Sequence, residues 1–65
     1  MNWDQIEGNW KQMKGQFRES WGKLTDDEDE HAAGNRDHLE GLIQERYGKS
    51  REEAHREVDE WLARH

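Results

Sequence analysis

Apolar side chains recur at Trp3, Ile6, Trp10, Met13, Phe17 and Trp21, in steps of three and four. That spacing lines one face of a helix and predicts one over about 3–21. Asn2 fits its N-cap, and Asp4 sits early in the first turn, where the helix dipole favours an acid. Gly22 fits the position just past the helix end, and Lys23 places a cation there. Thr25 with Glu28 three residues on has the form of a capping box and predicts a short helix across roughly 26–33. Its only apolar residues are Ala32 and Ala33, so it reads as the most weakly held element. A third helix is expected over about 36–47, with Leu39, Leu42, Ile43 and Tyr47 on one side and Gly48 closing it. Ser50 with Glu53 repeats the capping box and opens a fourth helix to about residue 63, with Ala54, Val58, Trp61 and Leu62 facing inward. The expected fold is all-α, a small four-helix domain of two helical hairpins packed on each other.

The chain also repeats itself. Residues 8–23, GNWKQMKGQFRESWGK, match residues 34–49, GNRDHLEGLIQERYGK, with a shift of 26. Gly, Asn, Gly, Glu, Gly and Lys recur identically, and apolar character recurs at Met13/Leu39, Phe17/Ile43 and Trp21/Tyr47. A repeated unit with an apolar stripe and a terminal glycine reads as a repeated helical hairpin. The 65 residues are expected to form a single domain containing this repeat.

Composition limits how firmly such a domain can hold. Charged residues make up 40% and hydrophobic residues 29% of the chain. Mean hydropathy is −1.59. With no cysteine there is no disulfide or thiolate metal site, and with no proline the helices run without that interruption. Four tryptophans counter the polar bias, because each buries a large apolar area. The net charge of −6 comes chiefly from five consecutive acids, Asp26 to Glu30. An acidic chain is repelled by phosphate backbones, so nucleic acid is a disfavoured partner. No apolar run approaches the ~20 residues of a membrane span, no secretory leader pattern opens the chain, and a cytoplasmic location is expected.

The blocks GNWKQMKGQFRESWGKLTDD at 8–27 and GNRDHLEGLIQERYGKSREEAHREVDEW at 34–61 resemble the CsbD-like family of small bacterial stress proteins. The resemblance covers nearly the whole chain. It implies two roughly orthogonal helical hairpins, in an arrangement like that of SAM domains, and induction under general, osmotic or stationary-phase stress. It implies no catalytic activity and no cofactor, and it carries over no site residues. The chain departs from the family pattern after Thr25-Asp26-Asp27. Bulky apolar residues are usual there, and Asp29, His31 and Ala32 stand in their place.

Candidate chemistry is sparse. His55 and Asp59 are spaced i,i+4 and could hold Zn²⁺ weakly, but no third ligand has a convincing spacing. His31 and His38 are seven apart across a predicted turn. The acidic run lacks the alternating pattern and distal Glu of a calcium loop. No residue is assigned a catalytic, cofactor or metal role. Lys11, Lys14, Arg18 and Lys23 form a positive strip on the first helix. Gly8 and Gly15 fall opposite its tryptophans, where a partner helix could approach closely. The candidate interaction surface is therefore Trp3, Gly8, Lys11, Lys14, Gly15 and Arg18. The reading that follows is a non-enzymatic protective stress protein, hydrated and hydrophilin-like, acting on unidentified clients as a monomer or weak self-associate. The alternative is a helical module for one protein partner, with nucleic acid a weaker variant.

Overall fold

The computed structural model describes all 65 residues and contains five helices and no strand. They are α1 (Trp3–Gly8), α2 (Trp10–Ser20), α3 (Asp26–Gly34), α4 (Arg36–Tyr47) and α5 (Arg51–Arg64). Side chains define most of the boundaries. Asn2, Thr25 and Ser50 each accept a hydrogen bond from a backbone N–H three residues on, and the side chains of Gln5, Glu28 and Glu53 each accept one from the cap residue's own N–H. Each pair satisfies two of the donors that a helix start leaves unpaired. Asn35 ends α3 and opens α4, its Oδ1 accepting from the N–H groups of Asp37 and His38.

The long first helix expected from the apolar stripe is divided in two at Asn9. Gly8 and Asn9 are adjacent poor helix formers, and the Asn9 side chain competes for the backbone by donating to the Gln5 carbonyl at 3.1 Å. The stripe survives the break, with Ile6, Met13 and Phe17 buried and Trp3 and Trp10 packed against the core. The break lets α1 turn onto α3, where the Trp3 indole N–H donates to the Ala32 carbonyl at 2.8 Å.

α3 is continuous to Gly34 and better anchored than its two alanines predict. Asp29, Ala32 and Ala33 are all buried. α4 is the central helix, packed on α3 on one side and α5 on the other. The core joins Ile6, Phe17, Trp21, Leu24, Leu39, Ile43, Val58 and Trp61. Phe17 meets Trp10, Trp21 and Trp61 at centroid distances of 5.1, 4.9 and 6.0 Å, and Trp21 lies 5.5 Å from Trp61. These rings bind α2 to α5. Met1 is the one large hydrophobic side chain that is exposed.

Gly48 caps α4 in the left-handed region, with φ of 64°, and it is the only residue with positive φ. Gly41 lies within α4, and a Cβ added there meets nothing within 4 Å. The two sites predict opposite outcomes. Gly48→Ala forces a side chain into a conformation costing about 1–2 kcal/mol. Gly41→Ala gains roughly 0.5–1 kcal/mol of helix propensity. Thermal unfolding should show the first midpoint falling and the second rising, by roughly 4–8 °C per kcal/mol in a domain of this size. Shifts of the same sign would contradict these roles for the two glycines.

Candidate functional site

Two charged constellations cover the outside of the helices. The first gathers the cations of α2 onto the acidic start of α3. The Arg18 guanidinium donates to Asp26 Oδ1 at 2.7 Å and makes a second bond to Asp29. The Lys14 ammonium lies 3.9 Å from the same Asp26 oxygen. Asp29 is fully buried, and its Oδ1 has no hydrogen-bond partner. Burial therefore raises the Asp29 pKa above the usual aspartate value, and the Arg18 charge only partly offsets it. Next to it, Arg46 donates to Glu28 at 2.5 Å and holds that carboxylate below its usual pKa, with help from the Thr25 cap.

The second constellation bridges α4 and α5. Arg36 donates through Nε to Glu40 at 2.7 Å, and through Nη2 to Asp59 at 2.6 Å and to the His55 carbonyl at 3.2 Å. His55 Nδ1 lies 3.0 Å from Glu40, and its Nε2 lies 3.4 Å from Asp59. Burial works against the Arg36 charge, yet the bonds to Asp59 and Glu40 prevail and its pKa stands above the usual guanidinium value. The same Arg36 bond lowers the pKa of Asp59. A cleft beside this network is lined only by polar and charged residues, among them Asp37, Arg51, Glu52 and Arg56. Glu40 is the third acidic or imidazole group that spacing alone does not reveal beside His55 and Asp59. A guanidinium occupies the centre of the set, which makes it an ion-pair junction. No group of three or more histidine, aspartate and glutamate side chains is disposed to hold a metal ion. Arg36 and Glu40 carried a legible signal, an i,i+4 pair on one helix face.

The six residues of the candidate interaction surface do not share one environment. Trp3 is half-buried and bonded to Ala32. Lys14 and Arg18 face the acids of α3. Lys11 is exposed and makes no ion pair, and Gly8 and Gly15 are exposed with open space where a Cβ would stand. Gly8 and Lys11 border a shallow cleft at the α1–α2 break, together with Glu7, Asn9, Trp10 and Gln12. Lys23, the last cation of the strip, lies over the Tyr47 ring at 4.9 Å, and its backbone N–H donates to the Tyr47 hydroxyl.

Comparison with known proteins decides the family. The family model described as CsbD-like matches residues 4–56. The chain belongs to the CsbD-like family. It is 55% identical to the UPF0337 protein YjbJ of Escherichia coli O6:H1 over 65 residues, covering 100% of this chain and 94% of that protein. It is also 52% identical to a UPF0337 protein of Bordetella pertussis over 64 residues, covering 98% of this chain and 97% of the relative. No solved structure matches the chain. No helix of this CsbD-like chain is long and apolar enough to cross a membrane.

The shifted carboxyls make stability depend on pH in opposing directions. Glu28, Glu53 and Asp59 are shifted down, so their stabilisation is present above the usual carboxylate range and is lost as pH falls through it. Asp29 is shifted up, so it binds more protons folded than unfolded and subtracts stability as pH rises above about 4. In Asp29→Asn the opposing group is gone. Urea midpoints across the weakly acidic range should rise more steeply with pH in that variant than in the parent chain. Parallel slopes would show that Asp29 titrates alike in the folded and unfolded states.

Proposed function

We propose that this member of a general stress-response family acts without catalysis, as a protective protein whose charged surface keeps it and its neighbours apart as water is lost. The observation that carries the reading is the partition of side chains. Nearly every large apolar group is buried or half-buried, Met1 excepted, while charged residues form 40% of the chain. A surface that exposes only one large apolar side chain and carries a net charge of −6 opposes self-association and coagulation of crowded molecules. The internal pairing of α2 with α3 supports the same view, because it directs Lys14 and Arg18 to this chain's own acids rather than to a phosphate backbone.

A second reading, a docking face for a partner helix, rests on Gly8 and Gly15, where the helix surface is open, and on the exposed Lys11 beside them. One experiment separates the two. A labile enzyme is dried with the protein, with its Gly8→Leu/Gly15→Leu variant, or with an inert protein of equal mass. The protective reading expects the parent and the variant to preserve activity equally, and both to exceed the inert control. Loss of protection in the variant alone would favour the docking face. Protection no better than the control would end the protective reading.

A further inference from the structure

The four histidines stand in three different situations. His55 is engaged by Glu40 and Asp59 on its two ring nitrogens. His65 stacks on Trp61 at 4.5 Å and donates from Nδ1 to the Trp61 carbonyl at 2.9 Å. His31 and His38 are exposed, and neither ring makes a hydrogen bond or an ion pair within the chain. Yet the two rings face each other edge to face, with centroids 5.5 Å apart and planes at 89°. Backbone geometry brings them there. His31 is in the last turn of α3 and His38 in the first turn of α4, and the single residue Asn35 joins the helices while capping α4 through the His38 N–H. Residues separated by a turn in the sequence thus become neighbours across a fixed corner.

We propose that His31 and His38 form a two-point chelating site for a divalent transition metal of the class that imidazole binds, Zn²⁺, Ni²⁺ or Cu²⁺. Metal–nitrogen bonds of about 2.0–2.1 Å place the centroids of two imidazoles on one tetrahedral ion roughly 5 Å apart. The observed separation of 5.5 Å is close to that value, and neither ring is held by a partner within the chain. Both rings are available to bind, because no carboxylate engages either of them as Glu40 engages His55. Water completes the coordination shell. Glu30 and Asp37 adjoin the two histidines in sequence, and the acidic chain raises the local cation concentration. Because the ligands come from α3 and α4, a bound ion ties the two helices together and stabilises the folded state.

The test is calorimetric titration of the full chain with ZnCl₂, with MgCl₂ as the control for diffuse binding to the acidic run. One equivalent of Zn²⁺ should bind, with Mg²⁺ far weaker, and Zn²⁺ should raise the thermal midpoint. His31→Ala and His38→Ala should each weaken Zn²⁺ on the order of tenfold or more, since each removes one arm of a chelate. The double variant should be little worse than either single one, and His55→Ala should bind as the parent does. Three results would overturn the site: Zn²⁺ binding unchanged in both single variants, equal binding of Mg²⁺ and Zn²⁺, or no binding at millimolar Zn²⁺. Both rings are exposed, so the variants should keep their helicity. His31→Gln and His38→Gln replace them in the titration if circular dichroism shows otherwise.

Discussion

The contact of Phe17 and Trp21 with Trp61 is the constraint on which the rest of this small domain depends. It joins the first half of the chain to the last helix, and no other pair of aromatic rings does so. A chain of this length has a total stability of only roughly 3–10 kcal/mol. Truncating one buried Phe or Trp costs about 3–5 kcal/mol. A single ring of this cluster is therefore worth a large part of the whole. Polar handles fix its orientation: the Trp21 indole N–H donates to Glu57 at 2.8 Å, and Lys49 approaches the other Glu57 oxygen at 3.5 Å. The Trp61 indole N–H is buried without a partner, so this ring is held by packing alone.

Around that core, charge is organised by helix pair. α2 and α3 are joined by Arg18 with Asp26 and Asp29, α3 and α4 by Arg46 with Glu28, and α4 and α5 by Arg36 with Glu40 and Asp59. Exposed ion pairs contribute little individually, so these contacts specify which helices adjoin more than they hold them together. Asp29 stands apart. Its burial costs free energy that Arg18 only partly returns, at a position where an apolar side chain would fill the same space. The chain is thereby kept less stable than its core alone would make it.

Much of this was legible in the sequence, and the reasons are local. Thr25 with Glu28 and Ser50 with Glu53 mark helix starts because capping chemistry is confined to four residues, and Gly48 marks an end for the same reason. The apolar stripe named Ile6, Met13, Phe17 and Trp21 correctly, because the break at Asn9 leaves the inward side of α1 and α2 in step with the pattern. The break at Asn9 had a local signal, the Gly8-Asn9 pair that recurs at the Gly34-Asn35 corner, but the apolar stripe running through it read as one continuous helix. The burial of Asp29 and Glu40 was likewise hidden, because it depends on guanidinium groups that arrive from 11 residues away or from the same helix face. Leu24, between the first two predicted helices, is buried in the same core cluster as the aromatic rings, and no helical periodicity points to it. The histidine corner was hidden by the turn at Asn35, which places two separate residues side by side.

An ordered aromatic core, rather than helix propensity, holds this chain together. That claim is tested most directly by following unfolding in dilute buffer with far-UV and near-UV circular dichroism and tryptophan emission on one sample. A single cooperative transition is expected, with the aromatic and helical signals lost at one midpoint and blue-shifted emission below it. Helical signal in plain buffer without near-UV structure, or helicity that develops only as water activity falls, would contradict it.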